Sequence, residues 1–344
     1  MRKAVLVLAA TALVAGACAS SDERARGEEG VLRLGIFPNL THAPGYIALE
    51  QGIFEDVLAP TNVEVTYFNS GSDAGAAIQS GSIDATYIGP GPATALYLQP
   101  DSRVAIVSGV TSGGASFVVR TGAGIESPED LDGKRIAVPG VGNTQDVALR
   151  TWLHEQGLKA NDEGGEVSVA AVDNPELLGL FQAGQVDGAW EPEPYPSLLI
   201  SEGLAEPFVD EADLWPNGEF VTTVLAVNTT YMEAHPDVVA RLVEANVQAI
   251  QAIEDDPEAA KAAAQAGLIN AGAPSLHQSV VDTAWDKLTF TWDPIAPSLI
   301  QGAANAYSLG YLDTQPVDMT ALFRLEPLND VLNGMDVPLI QVVA

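Results

Sequence analysis

The 344-residue sequence predicts an α/β fold of two doubly wound sheets around a central cleft, and three observations carry that expectation. The chain repeats itself once, each copy alternates strands with helices, and the loops after the strands are polar but nearly free of charge. The repeat runs at an offset of about 103 residues: "IQSGSIDATY" (78–87) lies over "FQAGQVDGAW" (181–190). Gln79 matches Gln182, Gly81 matches Gly184, Asp84 matches Asp187, and Tyr87 matches Trp190. Self-similarity of this kind marks one structural unit used twice.

The elements follow in the same order in both copies. "RLGIFPNLTHAPGYIALEQGI" (33–53) resembles "RIAVPGVGNTQDVALRTWLHEQGL" (135–158): an apolar strand, a proline, a polar loop with Asn and Thr, then a helix that stops at Glu-Gln-Gly. Gly52 and Gly157 suit the left-handed residue that follows a helix. The alternation of Val63, Val65 and Tyr67, and of Val167, Val169 and Ala171, predicts a second strand, followed by a turn carrying Gly71 or Asn174. A third strand then ends in a Pro-rich loop, "GPGP" (89–92) or "EPEP" (191–194). Strands alternating with helices imply parallel βαβ units. Such a sheet offers its ligand site beyond the carboxyl ends of its strands, where loops feed helix N-termini. Two copies give two such edges, and a cleft follows between them.

The crossing between lobes is expected in "GVTSGGASFVVR" (109–120) and the return in "FVTTVLAVN" (220–228). Beyond Thr229 the pattern turns mostly helical: Pro236 opens a helix whose apolar face is Val239, Leu242, Val243, Val247 and Ile250, and Asp256-Pro257 opens another that Gly267 ends. These helices are expected to pack back on the first lobe. Lobe 1 then comprises residues 31–115 and 225–344, and lobe 2 residues 116–224.

The N-terminus reads as an export leader. Arg2 and Lys3 precede an apolar run from Ala4 to Val14, too short for the ~20 residues of a spanning helix. Residues 1–17 are read as a signal peptide and 18–30 as a charged, flexible tether. Cys18 is the only cysteine, so a disulfide framework, a zinc–thiolate site and a catalytic thiol elsewhere are excluded. "AGAC" (15–18) resembles the lipobox of bacterial lipoproteins, which makes Cys18 the expected lipidation site and membrane anchor. Removing residues 1–17 takes the net charge from −31 to −33, and phosphate binding needs basic patches, so nucleic acid is not an expected partner.

The stretches "FPNLTHAP" (37–44), "GSIDATYIGPGPA" (81–93), "GKRIAVPGVGNTQDVALRTWL" (133–153) and "GQVDGAWEPEP" (184–194) resemble bacterial ABC-transporter substrate-binding proteins of the nitrate, taurine and aliphatic sulfonate group. The resemblance implies a type II periplasmic-binding-protein-like fold and no enzymatic activity. It also implies a secreted, lipid-anchored monomer that closes on a small-molecule solute and delivers it to a membrane permease and its ATPase.

The candidate cleft loops, residues 38–44, 69–73, 88–92, 112–116, 139–146 and 190–194, contain no Lys or Arg. Oxyanions can still bind there, because helix N-termini offer free N–H groups and the positive end of the dipole. Candidate ligand-binding residues are Asn39, Thr41 and His42 from the first copy, with Asn143, Thr144 and Gln145 from the second. Gly71, Ser72, Gly89, Gly91, Ser112 and Gly113 join them. The threonines read equally as helix caps, and Ser112 and Gly113 equally as hinge. Trp190, Glu191 and Glu193 complete the set, each with an alternative: core packing for Trp190, and pairing with Arg120 or another base for the two glutamates. Asp84 and Asp187 read as turn residues. "GVGNTQ" (140–145) has Gln145 where a dinucleotide fingerprint needs its third glycine, and the four histidines lack metal-ligand spacing, so neither cofactor nor metal is expected. Within the same family, Trp190 and Glu191 leave open an aromatic solute such as a thiamine-precursor pyrimidine. An enzyme of the same fold is the alternative from another class.

Overall fold

The computed structural model describes residues 24–342, so the leader and Cys18 lie outside the described residues. The first copy of the repeat is β1 (Val31–Ile36), α1 (Ala43–Glu50), α2 (Ile53–Leu58), β2 (Asn62–Tyr67), α3 (Gly71–Ser80), β3 (Ala85–Ile88) and α4 (Pro90–Tyr97). Two strands, β4 (Val104–Gly113) and β5 (Ala115–Arg120), lead into the second copy: β6 (Arg135–Val138), α5 (Thr144–Glu155), β7 (Ser168–Ala171), α6 (Leu177–Gln182), β8 (Gly188–Pro192) and α7 (Tyr195–Ser201). Then come β9 (Ala205–Asp210), β10 (Val221–Asn228), α8 (Thr229–Ala234), α9 (Pro236–Asp255), α10 (Pro257–Asn270), α11 (Gln278–Trp285), β11 (Leu288–Phe290), α12 (Ala296–Ser308) and α13 (Glu326–Gly334).

Two sheets result, ordered β11-β4-β10-β3-β1-β2 and β7-β6-β8-β5-β9. In each, the three strands of the repeat run parallel, with the first strand between the second and the third. Next to the third strand lies an antiparallel strand that has just come from the other lobe, β10 beside β3 and β5 beside β8. The sheets are therefore mixed, where the βαβ pattern alone predicts parallel ones. A chain returning straight from the opposite lobe has no crossover helix to reverse it, so it pairs antiparallel.

Only Gly114 separates β4 of the first sheet from β5 of the second. Gly113 and Gly114 are both left-handed, at φ 76° and 71°. A Cβ on Gly114 would also sit 2.1 Å from Leu288 Cδ2, so the site needs glycine for both conformation and space.

The paired aspartates do more than make turns. Asp84 accepts from the backbone N–H of Arg33 at 2.8 Å and pairs with its guanidinium. Asp187 accepts from the N–H of Arg135 at 3.1 Å and from Arg120 Nη2 at 2.7 Å. Each aspartate thus ties the third strand of its copy to the start of the first, at the sheet edge away from the cleft. That shared duty accounts for its place in both halves of the repeat.

The apolar face of α9 is buried as its periodicity predicts, and the helix packs on α1 and α2 of the first lobe. The next helix differs from expectation. Asp256 caps α10 by accepting from Ala259 N, but Gly267 lies inside the helix, where a Cβ would meet Tyr46 Cδ1 at 2.4 Å. It is a close-packing glycine against α1 and does not end the helix. Residues 24–30, expected to be tether, also lie against this lobe: Ala25 is fully buried and His235 Nε2 bonds Arg26 O at 2.7 Å.

Candidate functional site

The loop after β1 is fixed before any solute is considered. Its backbone is held by Tyr46 Oη donating to Phe37 O at 2.6 Å, by Tyr195 Oη donating to Pro38 O at 2.8 Å, and by Leu40 N donating to Glu193 O at 2.8 Å. The side chains form a directed chain: Thr223 Oγ1 donates to Thr41 Oγ1 at 2.9 Å, and Thr41 Oγ1 donates to Asn39 Oδ1 at 2.6 Å. That bond holds Asn39 with Oδ1 toward Thr41 and leaves its NH₂ free to donate. Thr41 makes no side-chain cap bond, and its carbonyl accepts from Thr111. Its hydroxyl orients Asn39.

His42 is fully buried, and burial pushes its pKa down to about 3. Phe37 N donates to Nδ1 at 3.4 Å, so the ring proton sits on Nε2, as a neutral donor. Its ring lies between Phe37 and Tyr87, with centroids at 5.1 and 6.3 Å.

Opposite stands the start of α5, with Asn143 at the cap position, Thr144 first in the helix and Gln145 next. Thr144 Oγ1 accepts from Gly91 N at 3.2 Å, a bond from one lobe to the other. Neither Asn143 nor Gln145 makes a side-chain hydrogen bond among the described residues, and both are buried. Further bonds link the lobes on either side: Tyr311 Oη donates to Asp146 Oδ2 at 2.7 Å, and Lys287 Nζ to Glu193 Oε1 at 2.8 Å. The two lobes are closed on one another.

Between them lies a cavity of about 50 Å³ lined by Asn39, Thr41, His42, Gly71, Gly89, Asn143, Thr144 and Gln145 among the expected residues. Phe37, Asn69, Pro92, Pro139, Asn174, Pro192 and Thr222 line it as well. A water needs roughly 10–15 Å³ on this measure, so the space suits a compact head group of a few heavy atoms. Among the described residues its walls carry five side-chain amides, three threonines and a neutral histidine, and no Asp, Glu, Lys or Arg. Four helices, α1, α3, α4 and α5, begin at its rim; α4 offers no free N–H there, since Pro90 and Pro92 have none and Gly91 N is taken by Thr144, so α1, α3 and α5 supply the helix N-termini. Asn174 Oδ1 is buried there with no hydrogen-bond partner. Gly71 is excluded from substitution by contact, since its Cβ would meet Pro92 Cγ at 2.3 Å.

The remaining candidates lie elsewhere. Trp190 is in the core of the second lobe, stacked on Phe117 at 5.5 Å, with Nε1 donating to Glu211 Oε2 at 2.7 Å. Its ring packs against Phe117 and Trp152 inside the lobe, two residues before the end of β8 where Pro192 reaches the cavity. Ser72 is exposed on α3, bonded to Ser70. Ser112 and Gly113 stay within β4, and Gly91 faces away from this cavity, behind Thr144. Glu193 is paired with Lys287 and Ser197; Arg120 goes to Asp187 instead. Glu191 is fully buried with both carboxylate oxygens unpartnered, and burial pushes its pKa well up. Neither glutamate lines the cavity, so neither opposes an anion at close range. Thr222, from β10, is the contributor that the repeat could not reveal, because it arrives on the returning strand. The adjacent hydroxyls of "VTT" (221–223) beside the crossing were its signal.

Comparison with known proteins places the chain. A profile described as the NMT1-like family matches residues 25–268. A binding protein from Brucella abortus (strain 2308) is 32% identical over 203 residues, 57% of this chain and 58% of that protein. The taurine-binding periplasmic protein of Escherichia coli (strain K12) is 28% identical over 192 residues, 56% of this chain and 57% of that protein. The chain thus matches little more than half the length of these relatives. A 4,5-dihydroxyphthalate decarboxylase from Comamonas testosteroni is 30% identical over a shorter 164 residues, 38% of this chain and 48% of the enzyme. Among solved structures, the alkanesulfonate-binding protein SsuA from Xanthomonas axonopodis pv. citri, bound to MOPS, superposes with a TM-score of 0.69 at 20% identity, covering 83% of this chain and 93% of that one. The periplasmic nitrate-binding protein NrtA from Synechocystis PCC 6803 gives 0.74 at 16% identity, covering 90% of each chain. At such identities the likeness is one of fold.

Proposed function

The chain belongs to the NMT1-like family, and from that premise we propose that it is an extracytoplasmic solute-binding protein of an ABC importer, closing its lobes on a small oxyanion such as a sulfonate, taurine or nitrate. One observation carries the reading: among the described residues no charged side chain lines the closed cavity, yet the N-termini of α1, α3 and α5 and a set of neutral donors meet there. That combination holds an anion by oriented N–H groups and releases it without breaking an ion pair. Release is what delivery to a permease requires. Asn174 adapts to either end of such a solute: its oxygen accepts from an ammonium like that of taurine, and the amide turned over donates to an oxyanion.

The mature chain would begin at a lipidated Cys18 and act as a monomer at the outer face of the membrane. Among the described residues no helix is long and apolar enough to cross a membrane. The pyrimidine alternative loses its main support with Trp190 and Glu191 outside the cavity. Calorimetric titration of the purified chain with alkanesulfonates, taurine, nitrate and a thiamine-precursor pyrimidine tests the reading. Binding of a sulfonate, taurine or nitrate is expected; binding of the pyrimidine alone, or turnover of any of them, overturns it.

A further inference from the structure

The polar cavity has a neighbour. The β3–α4 turn and the start of α5 form a thin wall: Gly89, Pro92 and Thr144 face the polar cavity, while Pro90, Gly91 and again Thr144 face a narrow neck of about 40 Å³. The wall is closed by the 3.2 Å bond from Gly91 N to Thr144 Oγ1, with glycines on the opposing side. A threonine side chain that turns, or lobes that close a little less, would join the two spaces.

Beyond the wall the chemistry changes. The neck is lined by Val147, Phe220, Val221, Leu299 and Ala303. Through Ala148, Glu211, Trp215, Ser298 and Asn305 it continues into a groove of about 600 Å³. Trp215 stacks on Phe220 at 5.9 Å and forms an aromatic wall. Glu155, Glu211 and Glu219 line the groove, and among the described residues no Lys, Arg or His lines the neck or the groove. An anionic head is therefore repelled from this side, whereas an uncharged chain is at home in the neck. Ile295, on the groove wall, holds φ 46° and ψ 57°. That is a strained conformation for a β-branched residue, of the kind that collects at binding sites.

The geometry points to a two-chamber site whose solute is an organic monoanion: its head in the polar cavity, its apolar tail of several carbons passing Thr144 into the Phe220–Trp215 neck. This inference rests on the anion reading above and narrows it to tailed sulfonates, against nitrate or taurine as the preferred solute.

Titration calorimetry of the full chain with methane-, butane- and hexane-1-sulfonate tests it, in the wild type and in Gly302→Leu. Gly302 lines the neck, and a Cβ there meets nothing within 4 Å, so the leucine fills the neck without displacing backbone. Each methylene buried should tighten binding about fourfold, so butanesulfonate should exceed methanesulfonate by roughly fiftyfold. Gly302→Leu, with its melting temperature checked against the wild type, should leave methanesulfonate unchanged and weaken hexanesulfonate about tenfold or more. Equal affinities along the series, or equal losses for all three in the variant, overturn the two-chamber site and leave the anion reading intact. Failure of every sulfonate while nitrate or taurine binds overturns the two-chamber site alone, and failure of nitrate and taurine as well overturns both.

Discussion

The two loops that face each other across the cleft descend from one repeated pattern but are built to different stiffness. In the first lobe, residues 37–42 are held by bonds to Tyr46 and Thr111, the Thr223–Thr41–Asn39 chain orients the one amide, and Tyr195 and Glu193 of the second lobe bond the same loop across the cleft. In the second lobe, Asn143 and Gln145 have no side-chain bonds among the described residues, and the loop meets the first lobe through Thr144 and Asp146. One half is preorganised and the other adapts. An oriented amide on one side and unbonded amides on the other divide the cavity wall into a fixed part and an adaptable part.

The largest expected effect separates the two aromatic strand ends from the site altogether. Trp190→Ala should destabilise the fold by about 3–5 kcal/mol in denaturant titration, through the cavity it leaves beside Phe117 and Trp152. The folded fraction should bind solute as before; a selective loss of affinity at unchanged stability would put the ring back in the site.

The stiffness comparison is sharpened by Thr41→Val, which keeps shape and removes the hydroxyl. It leaves Asn39 Oδ1 and Thr223 Oγ1 without their partner, so a loss of about 1–3 kcal/mol in stability is expected. Solute affinity should fall about tenfold although Thr41 gives its own proton to Asn39. Unchanged affinity would show that the orientation of Asn39 is irrelevant.

Acid probes the same half. The unfolded chain protonates its histidine near pH 6.5, while the folded chain holds His42 neutral down to about 3. Stability contributed by this group is complete above pH 6.5 and drains away as the pH falls, by roughly 1.4 kcal/mol per unit. His42→Gln should flatten that part of the curve between pH 6.5 and 4.5, read as melting temperature against pH. An unaltered slope would assign the acid sensitivity to other groups. The smallest effect belongs to the adaptable half: Asn143→Ala should change stability by less than about 0.5 kcal/mol and weaken the solute only threefold to fivefold. A loss as large as that of Thr41→Val would erase the distinction between the loops.

The order of elements, the duplication and the polar loops were legible because they depend on local pattern. Period-2 alternation marks β2 and β7, the periodic apolar face marks α9, and Gly52 and Gly157 mark helix ends at φ 75° and 77°. The paired Asn, Thr and His or Gln positions at the starts of α1 and α5 were legible for the same reason, since the loop after a strand in a βαβ unit opens on the ligand edge.

What the sequence determined by itself was therefore the kind of structure and the edge on which a site would form. Tertiary structure decided which side chains at that edge line the cavity. Trp190 is withdrawn because its ring packs against Phe117 and Trp152 in the core of its lobe. Glu193 is neutralised by Lys287, 94 residues away, and Thr222 is added by a strand returning from the other lobe. Local sequence fixes where a backbone turns and where a helix dipole starts, but contact between residues far apart in the chain is set by how two lobes pack, and no short pattern encodes that.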